Sequence, residues 1–500
     1  MEKQDISAIT RREFIRRTAC AALGTAAMTS AIRDLRFMNA AVAQSNIGPN
    51  DYKALVCIFL QGGNDANNLV IPTIASEYNN YAAIRTPVLA LPQGSLLNLV
   101  PPGTSNNYVD PAGHSFGLHP ACPELAQLFY EGKLATLFNT GTLVYPLTRV
   151  QYQSNVFQKP PQLFSHADQV TQWQTSIPDQ PPTTGWGGRC ADLLNSVQPG
   201  APISLSVSLA GANTFEVGNV ISQYSVSTSG AISLAGISGA RLTALTNILG
   251  LSYPNLQAQA YAGVAQHSIQ SSGLLNNAIT NTAGNYWTNP FPGTVTNQVS
   301  GGKFSSSLAP QLQMIARLIE AGKRATTNAG FGMKRQIFFC QVGGYDLHTG
   351  QTNYSSTTPG NVLTGAHSNL FAELSQCLYA FQRAMEQLEP LYPGISSSVT
   401  AFTASDFGRT LPSNGQGSDH GWGSHHLIVG GAVKGGKSYG KFPTLTVNGP
   451  DDTSTGRWIP TTAIDQYFAT LATWFGVDNS NLATVFPNLR RFAASNLGFI

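Results

Sequence analysis

Charge is what this 500-residue sequence has least of: Asp, Glu, Lys and Arg together make up 11% of it. The formal net charge of +3 arises in the first 43 residues, which hold seven Lys/Arg and four Asp/Glu, so that 21 of each sign remain beyond them. A neutral remainder offers no basic face, which excludes nucleic acid as a partner. Long apolar runs are also missing. None approaches the roughly 20 residues that span a bilayer, so no stable membrane span is expected once the N-terminal segment is removed. The six cysteines are widely spaced and form no CxxC. Cys57 and Cys340 lie within apolar runs and read as buried small hydrophobes. Beyond residue 43 five cysteines remain, an odd number that leaves at least one thiol free and allows one disulfide in an oxidising compartment. There is no GxSxG elbow, which argues against a serine hydrolase. What is abundant is Gly, Ser, Thr, Asn and Gln, the composition of an exported globular protein with long polar loops.

The N-terminus reads as an export signal. Thr10-Arg-Arg-Glu-Phe-Ile-Arg16 fits the twin-arginine pattern, a weakly apolar stretch follows over Thr18–Ile32, and Ala41-Val-Ala43 offers small residues for cleavage. The expected organisation is therefore a signal over 1–43 and a mature α/β domain over 44–500.

Within that domain, Ala54–Leu60, Lys133–Asn139, Gln336–Val342 and Val399–Ala404 are continuous apolar runs, as expected of strands buried on both faces. His426–Gly431 reads as a further short strand. Helical periodicity marks Pro120–Tyr130, Leu312–Ala321, Leu370–Gln387 and Ala463–Phe475. Residues 197–308 differ: they are rich in small polar residues, include alternating segments such as Ile203–Leu209, and read as an inserted, partly β cap. Strands alternating with helices predict a mostly parallel sheet.

Three of the apolar runs end in small residues followed by Asp, giving Asp65, Asp346 and Asp406. Parallel strands put their C-terminal ends on one sheet edge, where ligands bind. Three carboxylates meeting there require a cation or proton between them. His348 follows Asp346 by two residues. The segment Ser405–His426 adds Asp419, His420, His425 and His426, three of the chain's nine His within 22 residues. Carboxylates and imidazoles in this density suit a divalent metal such as zinc, manganese or calcium.

The motifs GGND (62–65), Phe164-Ser-His-Ala-Asp-Gln169, GGYDLHTGQ (343–351), SDFGRT (405–410), DHG (419–421) and GRWIP…ID (456–465) resemble the DUF1501 proteins. These are grouped with the alkaline phosphatase and sulfatase superfamily. The resemblance implies a central mixed sheet flanked by helices, with a one- or two-metal site that hydrolyses phosphate or sulfate esters of small molecules or polymers. It implies Asp65, Asp346, His348 and Asp406 as metal ligands, with Asp419, His420 and His425 (or His426) completing the set. Phe407 stands where the superfamily places a His, and His420 is the residue that would replace it. Ser165, with Asn67 and Asn68 as rivals, is the candidate nucleophile, and a helix N-cap is the alternative role for Ser165. His166 is the candidate for proton transfer, and Arg409 or Arg189 for holding ester oxygens. A catalytically inactive relative serving as a binding or envelope-assembly protein is the competing reading, favoured by Phe407.

Overall fold

The apolar runs fold into one ten-stranded sheet. The computed structural model describes residues 51–500 apart from 155, 199, 232–235 and 281–290. The export-signal reading falls on residues 1–43, outside the described residues. The strands of the sheet are β1 (Lys53–Leu60), β2 (Leu134–Gly141), β3 (Ser206–Ser208), β4 (Tyr224–Ser227), β5 (Gly230–Ala231), β6 (Arg335–Val342), β7 (Val399–Ser405), β8 (Ser424–Gly430), β9 (Lys437–Tyr439) and β10 (Thr462–Ala463). Their order is β9-β2-β8-β7-β1-β6-β3-β4-β5, with β10 beside β2. Strands β4, β3, β6, β1 and β7 run parallel, and β8 runs antiparallel between β7 and β2. This is the mixed, mostly parallel sheet expected from the sequence.

Helices cover the sheet, which is why β1, β2, β7 and β8 are buried almost residue by residue. The helices include α1 (Ala75–Leu89), α2 (Pro123–Tyr130), α3 (His166–Thr175), α4 (Trp186–Leu194), α5 (Leu256–Thr280), α6 (Ala309–Lys323), α7 (Ala366–Gln387) and α8 (Ile464–Phe475). Helix α7 packs on α2 and α6, while α4 packs on α3, β6 and β3. Proline at the first position of α2 sets its start at Pro123, three residues later than periodicity alone suggests. Residues 197–308 supply β3–β5 at the sheet edge and the 25-residue α5. All five cysteines among the described residues are buried and unpaired.

Register brings the strand ends level. Leu60 pairs with Val342 on one side and with Ser405 on the other. The loops after β1, β6 and β7 therefore leave the sheet at one edge, and β8 begins there, with Ser424 opposite Thr140 near the end of β2.

Candidate metal centre

At that edge Asp346 is surrounded by three imidazoles. Its Oδ2 lies 3.4 Å from His166 Nε2. Its Oδ1 lies 3.1 Å from His348 Nε2 and 3.2 Å from His420 Nε2. His420 Nε2 is in turn 3.1 Å from His166 Nε2 and 2.9 Å from His348 Nε2. His166, Asp346 and His420 each offer a donor atom within 4.8 Å of the other two. The backbone makes this approach possible: a Cβ on Gly62, which has φ +116°, would sit 2.4 Å from the Asp346 amide nitrogen.

The far side of each ring fixes its tautomer. His166 Nδ1 is 2.7 Å from Asp406 Oδ2, His348 Nδ1 is 3.0 Å from Asp419 Oδ1, and His420 Nδ1 is 2.7 Å from the Phe164 carbonyl. A carbonyl and ionised carboxylates only accept, so each Nδ1 carries the N–H. A neutral ring in that tautomer presents a bare lone pair at Nε2. Burial first, and the nearby Arg409 charge as well, hold the His420 pKa below the usual range against the pull of the Phe164 carbonyl. Burial opposes ionisation of Asp346, but its hydrogen bond to Arg409 and the charge of that guanidinium outweigh it and keep the carboxyl below its ordinary pKa.

Lone pairs 2.9–3.1 Å apart repel unless something positive lies between them. The donor separations resemble the about 3.3 Å edge of a tetrahedron whose vertices lie 2.0–2.1 Å from a zinc ion. Imidazoles tied back through Nδ1 to carboxylates or a carbonyl are the usual surroundings of metal-bound His. The residues present therefore fit a divalent metal. Imidazole nitrogens favour zinc over calcium, which prefers oxygen donors.

Other residues singled out from the sequence are placed differently. Asp406 and Asp419 hold the far nitrogens of His166 and His348, and Asp406 Oδ1 also accepts from Gly62 N at 3.0 Å. Asp65 is not brought to the imidazoles. It is buried, ion-paired with Arg85 of α1, and hydrogen-bonded by Gln351 and Asn67. His425 also stays apart, because it lies on the buried strand β8, where its Nδ1 accepts from Asn139 N and its ring packs on Phe138 and Phe442. His426 is wedged against Trp173 and Tyr467. The Ser165 side chain donates to Asp168 at the start of α3. Asn67 takes the Trp458 indole N–H, and Asn68 is bonded to Tyr81 and Arg85. Arg409 is fully buried and spent on Asp346, Gly62 O and Ser418 O, and Arg189 on the carbonyls of Val485, Thr175 and Thr184. Phe407 is a buried platform whose ring lies 4.8 Å from that of His166 and 4.6 Å from that of His420.

His166 is the donor that pattern reading assigned to another task. It opens α3 far from any strand-end Asp in sequence, and only the fold delivers it to Asp346. The signal was its place directly after an N-cap residue, where a side chain projects from a helix start.

Burial pushes His425 and His426 down to about 3. The unfolded chain titrates near 6.5, so between about pH 6.5 and 3 it binds protons that the folded state refuses. Stability from these groups is complete above pH 6.5 and is lost as pH falls. His426→Phe, which keeps a ring between Trp173 and Tyr467, is expected to remove one proton from this dependence, flattening it by about 1.4 kcal/mol per pH unit near pH 5. Urea unfolding of both proteins from pH 4.5 to 7 measures the difference, and parallel curves would contradict it.

A family model described as protein of unknown function (DUF1501) matches residues 252–483. The match agrees, over that stretch, with the resemblance carried by the motifs, and it contains Asp346, His348 and His420. No curated protein matches the chain significantly. Among solved structures, the C-terminal periplasmic domain of EcEptC from Escherichia coli, in complex with Zn, is similar at 11% identity, with a TM-score of 0.31, over 87% of this chain and 85% of that one. No helix among the described residues is long and apolar enough to cross a membrane.

Proposed function

We propose that this chain is an exported, metal-dependent hydrolase of phosphate or sulfate esters on an alkaline phosphatase/sulfatase-like sheet. One observation carries the reading: His166, His348 and His420, each fixed as the Nδ1–H tautomer, turn Nε2 lone pairs toward one another and toward the Asp346 carboxylate. Zinc bound there by His166, Asp346 and His420, with His348 beside them, would supply Lewis-acid chemistry at the ester. Asp406, Asp419 and the Phe164 carbonyl keep the rings oriented. Arg409 holds Asp346 ionised and in place. The single Nε2 of His420 can serve one ion only, which favours one metal over two. Asp346 and His348 are 45% and 41% exposed, so the site is open to an incoming ester. Export rests on the twin-arginine pattern at Thr10–Arg16.

A second reading keeps the metal and loses the chemistry, as a catalytically inactive envelope-binding protein. Ser165 favours it, because its hydroxyl is engaged by Asp168. Turnover of an aryl phosphate and an aryl sulfate by zinc-loaded protein separates the two. The hydrolase reading expects turnover that a chelator abolishes and added zinc restores. Zinc-loaded protein without turnover of either ester supports the inactive reading.

A further inference from the structure

Both arginines proposed from the sequence for anion binding are committed elsewhere, but a third, Arg457, borders His420. Arg457 lies half-buried in the loop between β9 and β10. Its Nε donates to the His420 carbonyl at 2.7 Å. Its guanidinium sits 4.2 Å from the centre of the Phe164 ring, and the carbonyl of that same Phe164 accepts from His420 Nδ1. Arg457 and Phe164 thus hold the backbone carbonyl and the Nδ1 side of His420. Arg85, Arg335, Arg383, Arg409 and Arg491 each face a carboxylate. Among the described residues none faces Arg457. Its terminal N–H groups remain available, and a guanidinium fork matches two oxygens of a tetrahedral anion. Helix α3 begins at the same point with His166, so the positive end of its dipole adds to the potential there.

We infer that Arg457 is the anion-recognition residue of this site, fixed by His420 and Phe164 so that its free N–H groups meet the oxygens of a phosphate or sulfate group at the His166–Asp346–His420 cluster. The inference rests on the metal reading above. It makes the ligand an ester whose anionic oxygens are engaged by a guanidinium and the metal together, and it gives Arg457 a binding role that a clamp on Phe164 would not have.

The test is calorimetric titration of zinc-loaded protein with inorganic phosphate, with zinc content measured on the same samples. Arg457→Ala is expected to keep its zinc and bind phosphate about 10- to 100-fold more weakly, the loss of charge-assisted hydrogen bonds. Arg457→Lys is expected to recover part of the affinity, since it restores the charge without the fork. Unchanged phosphate affinity in zinc-loaded Arg457→Ala would overturn the assignment and leave the metal reading standing. So would zinc-loaded wild type that binds no phosphate, or loss of zinc from Arg457→Ala, which would mark Arg457 as a clamp. Wild-type protein that holds no zinc would overturn the metal reading and this inference with it.

Discussion

Asp346→Ala is expected to empty the metal centre while leaving the fold standing. Asp346 is the one carboxylate on the Nε2 side of the three imidazoles, and its two oxygens reach all of them. Without it, Asp406 and Asp419 remain only behind the rings, Arg409 stays beside them, and no anionic donor faces an incoming metal. Changing a residue that merely orients a ligand costs about 10- to 100-fold in metal affinity, so removing a charged ligand is expected to cost at least about 100-fold. The side chain is 45% exposed, and the turn that carries it belongs to a loop rather than to the sheet. Global stability should fall by less than for a fully buried pair, because the buried Arg409 loses Asp346 but keeps the Gly62 and Ser418 carbonyls. Zinc content after dialysis and urea unfolding of the same preparation check both halves. Asp346→Ala that retains a full complement of zinc would remove Asp346 from the site.

Asp65→Ala is expected to do the reverse. The carboxylate and its partner Arg85 are 3% and 0% exposed. Burial opposes ionisation of Asp65, but the charge and hydrogen bond of Arg85, with help from His367 and Gln351, keep its carboxyl below the usual range. Arg85 also donates to the carbonyls of Thr410 and Leu411. Gln351 joins Asp65 to Ser418, whose carbonyl receives Arg409. Removing the carboxylate strands a guanidinium in the interior, which costs about 3–5 kcal/mol. The expected result is a strongly destabilised protein whose folded fraction still binds zinc. A stable Asp65→Ala that has lost its metal would instead make Asp65 a ligand.

The contrast between these two aspartates shows how far the sequence could be read. Both follow an apolar strand and a Gly-Gly pair, and that grammar placed both at the correct sheet edge. Both pair with an arginine, but Asp65 is sealed in by Arg85, 20 residues on and in a helix whose packing local pattern does not encode, whereas Asp346 stays exposed beside three imidazoles. The strands were legible because a sheet covered on both faces demands unbroken apolar runs, as in Ala54–Leu60 and Val399–Ala404. The same logic would have extended the strand read over His426–Gly431 back to His425 and taken both imidazoles off the ligand set. They begin the run that continues through Leu-Ile-Val, and an imidazole at the start of a covered strand is a core residue. Asp419 and Asp406 were found as ligand-type residues, but whether a carboxylate touches the metal or the back of an imidazole is a matter of a few ångströms that only tertiary structure sets. Phe407 looked like a lost ligand. It packs under His166 and His420, and on the other side it fills the space that a Cβ on Gly63 would take, 2.5 Å from its ring.

Anomalous diffraction at the zinc edge, from crystals of zinc-loaded protein, tests the central claim most directly. The account predicts one strong peak per chain, about 2.0–2.1 Å from the Nε2 atoms of His166 and His420 and a similar distance from an Asp346 carboxylate oxygen. A peak at Asp65 or His425, or no peak at the Asp346 cluster, would contradict it.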